Sequence, residues 1–144
     1  PIYLITEGRI LPWVFAPALR EVDFGQADTW LMDDWIAHTK KGEMWRSYSY
    51  EAPFPGGESY LQLWARSKAL LEEIVARHEG GTVLLVSHAT PVKFQLAALC
   101  GIDPKEAVHA WIPNAALYEL HGTTLGSFSF SRLYPEGRKD ALGF

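Results

Sequence analysis

The most regular alternation of apolar and polar positions begins after Pro55-Gly56-Gly57-Glu58-Ser59. Tyr60, Leu63, Trp64, Leu70, Leu71, Ile74 and Val75 recur at helical spacing and predict an amphipathic helix. Ser59 with Gln62 reads as a capping box at its start, and Gly80-Gly81 as its stop. Thr82 to Ser87 is a β-branched and apolar run without alternation, which predicts a strand covered on both faces, central and parallel in its sheet. After His88-Ala89-Thr90, Pro91 suits a first helical turn, the apolar run to Cys100 continues the helix, and Gly101 ends it. Farther on, Ala116 to His121 and Ser127 to Leu133 read as two strands around a turn at Gly122 to Gly126, a hairpin near a sheet edge.

The earlier part is less regular. Trp13-Val14-Phe15 is a short strand candidate, and Trp30 to Thr39 a helix candidate with Trp35 and Ile36 towards the core. Lys40 to Pro55 is aromatic, proline-bearing and irregular, and reads as an ordered excursion over the sheet. Its Trp45, Tyr48, Tyr50 and Phe54 could wall in the organic part of a ligand or simply cover the sheet. Helices alternating with buried strands predict a single α/β domain over residues 1–144, a three-layer sandwich with a mostly parallel central sheet and helices on both faces.

Composition narrows the function without choosing it. A chain of 144 residues, 48% hydrophobic, can bury one sizeable core but not two. The net charge of −4 comes from interspersed acidic and basic residues, so no basic face argues for nucleic acid. No apolar run reaches the roughly 20 residues that a membrane-spanning helix needs, and the first residues lack signal-peptide character. The expectation is a cytoplasmic protein acting on a small molecule. The single cysteine, Cys100, lies among Leu96, Ala97, Ala98 and Leu99 and reads as a small buried apolar residue. His38, His78, His109 and His121 are scattered without metal-ligand spacing, so neither a metal nor a cofactor is expected.

Position singles out His88. Ligands of open parallel sheets collect beyond the carboxyl ends of strands, and His88 follows such a predicted strand and precedes a helix. The helix start offers unpaired N–H groups and a positive dipole end, a favourable place for phosphate. The competing reading is a histidine that merely hydrogen-bonds its loop.

Four segments in order carry a family resemblance. Leu84-Leu85-Val86-Ser87-His88 followed by Ala-Thr-Pro-Val resembles the second-histidine motif of the histidine phosphatase (phosphoglycerate mutase-like) superfamily. Leu19-Arg20-Glu21-Val22-Asp23-Phe24-Gly25 resembles its central acidic motif, Pro55-Gly56-Gly57-Glu58-Ser59 its helix-opening turn, and Pro113-Asn114-Ala115-Ala116 the segment before its last strands. The resemblance runs from about Leu11 to Tyr134. It implies a phosphomonoester hydrolase that works through a phosphohistidine on a small phosphorylated metabolite. Glu21 would be the acid that protonates the leaving oxygen, His88 the second histidine, and the Ala89 N–H a phosphate donor. Without the resemblance, Glu21 reads as an exposed strand-end carboxylate.

The family's opening Arg-His-Gly, which carries the nucleophile, has no clear counterpart. The only comparable string is Ile2 to Gly8, with Thr6-Glu7 in place of arginine and histidine. Only ten residues separate Gly8 from Leu19, where the family's intervening helix and strand need on the order of 45 to 60 at ordinary lengths. The expectation is therefore a domain incomplete at its N-terminus, with Pro1 to Ile5 either the true first strand or part of a helix tail before Leu11-Pro12. A catalytically inactive relative that binds a phosphorylated ligand or a protein partner is the alternative, and a homodimer stays open.

Overall fold

The computed structural model describes residues 12–38, 50–137 and 141–144, the side chain of Met32 excepted. The readings of the residues before Pro12, and most of the excursion from Lys40, fall outside this range. Six elements follow one another: α1 (Met32–His38), α2 (Tyr60–Arg77), α3 (Ala89–Cys100), α4 (Pro104–Ala107), β1 (Leu117–His121) and β2 (Ser129–Tyr134). Two short 3-10 turns, Pro17–Leu19 and Gly25–Ala27, precede them.

Local chemistry explains one boundary of each of the three later helices. The Ser59 hydroxyl accepts from Gln62 N at 3.1 Å while the Gln62 side chain accepts from Ser59 N at 2.7 Å, a reciprocal cap for α2. Gly101 takes φ +72, the left-handed conformation that closes α3 without a side-chain penalty. Asp103 accepts from Lys105 N and Pro104 opens α4, a common helix start.

α3 is the central element. Pro91 and every residue from Lys93 to Leu99 are buried, so it lies inside the molecule rather than on its surface. Phe94 and Ala97 join Val22, Ala27, Trp35, Phe54 and Leu63 in the largest apolar cluster. On another side Ala98 and Leu99 pack with Leu71 of α2, and Leu96 packs with Ile112 and Phe144. The C-terminal residues close this last cluster, where Phe144 meets Phe130 edge-on with ring centroids 5.4 Å apart.

The hairpin forms as the sequence predicts. β1 and β2 pair antiparallel, with Tyr118 opposite Arg132 and His121 opposite Ser129. This is the sole sheet among the described residues. Two runs expected as strands therefore have no ladder among the described residues. Thr82 to Ser87 is assigned to no strand, and Val83, Leu84 and Val86 are 42%, 50% and 46% exposed rather than covered on both faces. Trp13, Val14 and Phe15 are likewise exposed and unpaired. The reason is non-local: a strand exists through the ladder it makes, and no described strand lies beside either run. Trp35 is buried and Ile36 packs against the same cluster, as expected of α1, whereas Cys100 is only half-buried at the end of α3.

Candidate functional site

His88 is the N-cap of α3, with extended backbone at φ −109 and ψ 168, and its carbonyl accepts from Val92 N at 3.0 Å. Its imidazole makes no capping hydrogen bond and is exposed. Among the described residues the ring has no hydrogen-bond partner, which disfavours the reading of a histidine spent on its own loop. Ala89 is the first helical residue, so its N–H is one of the orphan donors at the positive end of the helix dipole. An exposed imidazole thus stands at the helix end that favours negative charge.

Glu21 stands in an irregular segment between the two 3-10 turns, half-buried, its Oε1 accepting from the next backbone amide at 2.8 Å. A strand end it is not. The segment is held from two sides. The Ser87 hydroxyl, adjacent to His88, donates to the Leu19 carbonyl at 2.7 Å and accepts from Gln95 Nε2 at 3.2 Å. Arg66 of α2 grips the other side, donating to the carbonyls of Ala18, Arg20 and Glu21. Its guanidinium also forms a bidentate pair with Glu58, through Nε at 3.0 Å and Nη2 at 2.7 Å. Burial pushes the Glu58 carboxyl up, but the Arg66 guanidinium and the Asp23 N–H outweigh it and hold the group below its ordinary value.

Lys93 is a further charged group near Glu21, and the sequence reading missed it. It belongs to the buried face of α3, donates to the Val108 carbonyl at 2.6 Å, and lies 5.3 Å from the centre of the Tyr60 ring. Burial lowers its pKa to about 8, and the nearby negative charge of Glu21 opposes that fall. A lysine between Val92 and Phe94, the one charged residue of this helix, was the signal that could have marked it. Ser87, Glu58 and Arg66 were also missed as holders of the Glu21 segment, because their partners are 35 to 68 positions away.

The remaining histidines occupy peripheral places. His38 Nδ1 is 3.0 Å from the Asp34 carbonyl, His78 follows the last turn of α2, and His121 lies 3.4 Å from Glu119. Among the described residues no group of three or more His, Cys, Asp or Glu side chains could hold a metal ion, and no helix is long and apolar enough to cross a membrane. Burial pushes the Cys100 thiol up, away from the thiolate form.

A sequence model of the histidine phosphatase superfamily, branch 1, matches residues 2–133. The chain belongs to that superfamily. It is 28% identical over 118 residues to a phosphoserine phosphatase 1 of Hydrogenobacter thermophilus, covering 81% of this chain and 56% of the relative. A 2,3-bisphosphoglycerate-dependent phosphoglycerate mutase of Brucella anthropi is 36% identical over 95 residues, covering 62% of this chain and 45% of the relative. A bifunctional protein of Mycobacterium tuberculosis is 36% identical over 83 residues, which is 20% of that protein. The chain thus spans about half the length of the first two relatives and less of the third.

Proposed function

We propose that this histidine phosphatase domain hydrolyses phosphomonoesters of small metabolites through a phosphohistidine intermediate. The observation that carries the reading is the Ser87–Leu19 hydrogen bond, which ties the residue before His88 to a carbonyl two positions before Glu21. Phosphoryl transfer needs donors around the equatorial oxygens and a proton for the leaving alkoxide. His88 and the Ala89 N–H provide the donors at one end of a helix, and Glu21 provides the proton from the segment bound next to it. In the first step a histidine nitrogen forms a bond to phosphorus as the ester oxygen leaves with the Glu21 proton. In the second, water attacks phosphorus and gives its proton to the Glu21 carboxylate, the nitrogen–phosphorus bond breaks with its electron pair returning to the histidine, and inorganic phosphate departs.

We extend the proposal to the fold, a three-layer sandwich with helices on both faces in which Thr82 to Ser87 is a central strand of a mostly parallel sheet. Its support is the bare apolar run that leads straight into α3. Among the described residues none is assigned as the attacking histidine.

A second reading, favoured by Thr6-Glu7 at the string that resembles the nucleophile's position, is a member that binds a phosphorylated ligand or protein without turnover. Phosphate release from a panel of small phosphate esters, with His88→Ala as control, separates the two. Turnover that disappears in the variant supports the hydrolase. Equal rates, or none on any ester, leave the binding reading.

A further inference from the structure

The geometry points to Glu58 and Arg66 as positioning residues for Glu21, holding the backbone on which its carboxyl stands; this rests on the acid role given to Glu21 above. Arg66 Nη1 donates to Ala18 O at 2.6 Å, and Nη2 donates to Arg20 O and Glu21 O at 3.0 and 3.1 Å. Glu58 Oε1 accepts from Asp23 N at 3.0 Å, and Glu58 N donates to Asp23 O at 2.9 Å. Two side chains and one amide thus bind backbone groups of Ala18, Arg20, Glu21 and Asp23. The segment also receives Ser87 at Leu19 and buries Val22, but it contains neither helix nor strand beyond the single turn at Pro17–Leu19, so its backbone carbonyls have no ladder of their own.

The arrangement differs from the ion pairs within α2. Lys68–Glu72 and Arg77–Glu73 lie within α2, one turn apart and exposed, and such pairs contribute little. The side chains of Arg66 and Glu58 are only 19% and 12% exposed, and the guanidinium spends its donors on loop carbonyls. Its planar fork suits this use: it reaches Glu58 on one edge and the carbonyls on the other, where a lysine ammonium offers a single point. The return is precision at Glu21, because a shift of about 1 Å in a reacting group can cost on the order of a hundredfold in rate.

The test combines a structural and a kinetic readout on the full chain carrying Arg66→Met, with Arg77→Met as the control on the same helix. Hydrogen–deuterium exchange should rise about tenfold or more in residues 16–24 and stay unchanged in α3. Turnover of an alkyl phosphate, whose leaving group needs the proton, should fall at least about tenfold, while that of p-nitrophenyl phosphate should change far less. A merely structural role would depress both esters alike. Equal losses, or exchange in residues 16–24 no faster than in the control, overturn the inference. Should Arg66→Met not fold, Glu58→Gln, which keeps an acceptor for Asp23, is judged by the same two criteria. If the unsubstituted protein shows no His88-dependent turnover, the proposed activity fails and the exchange result alone decides the positioning role.

Discussion

Ser87 Oγ and the Leu19 carbonyl, 68 positions apart in the chain, meet at 2.7 Å, and this contact joins the segment bearing Glu21 to the start of the helix capped by His88. The hydroxyl is held in turn by Gln95 from within α3. Ser87→Ala removes the donor and leaves the half-buried Leu19 carbonyl and the Gln95 amide without it. The expected loss is about 1–3 kcal/mol in urea unfolding, the usual effect of stranding a buried polar group. Stability within a few tenths of the unsubstituted protein would contradict the contact.

The turn that opens α2 depends on close backbone contact. A Cβ at Gly57 would lie 2.1 Å from the Asp23 carbonyl oxygen and 2.7 Å from Gly25 N, both backbone atoms that cannot step aside. The clash falls on the strand of contacts through which Glu58 binds Asp23. Gly57→Ala should therefore cost about 1–3 kcal/mol or more by thermal or urea unfolding. At Gly56 nothing lies within 4 Å of the added atom, and only the positive φ of +76 resists it. Gly56→Ala should cost about 1–2 kcal/mol, the penalty of a left-handed conformation. The reverse order would mean that Gly57 does not touch the Glu21 segment.

Lys93 makes stability depend on pH. Its folded pKa of about 8 lies below the ordinary 10.5, so between these values the unfolded chain binds more protons than the folded one. Stability attributable to Lys93 therefore rises as pH increases from about 8 to 10.5, by at most roughly 3 kcal/mol. Below pH 8 the charged form carries its full burial cost. Lys93→Met should lack this rise, so the difference between variant and unsubstituted protein should move in favour of the latter across that window. Parallel stability profiles for the two proteins would show that Lys93 is not buried in the folded state.

What the sequence makes legible follows the range of each interaction. Ser59 with Gln62, Pro91 with Gly101, and the glycines between β1 and β2 act within a few residues, and the corresponding helices and hairpin stand where the pattern places them. Thr82 to Ser87 needs a neighbouring strand from elsewhere in the chain, which periodicity cannot supply, and no described residue provides it. His88 was visible because it lies at a junction between an apolar run and a helix. Its surroundings were not, since Arg66 and Ser87 act on the Glu21 segment through backbone carbonyls, which carry no residue-type signature.

In the proposed reaction Glu21 and His88 serve one transferring phosphoryl group in different roles. The most direct measurement compares phosphate release from an alkyl phosphate and from p-nitrophenyl phosphate by Glu21→Gln and His88→Ala. Loss of a general acid should slow the alkyl ester by about a hundredfold or more and the aryl ester much less, because nitrophenolate leaves without a proton. Loss of the group that stabilises the phosphoryl oxygens should slow both esters, by about a hundredfold or more. Glu21→Gln variants that hydrolyse both esters at the unsubstituted rate, or His88→Ala variants that retain full activity on either, would contradict the account.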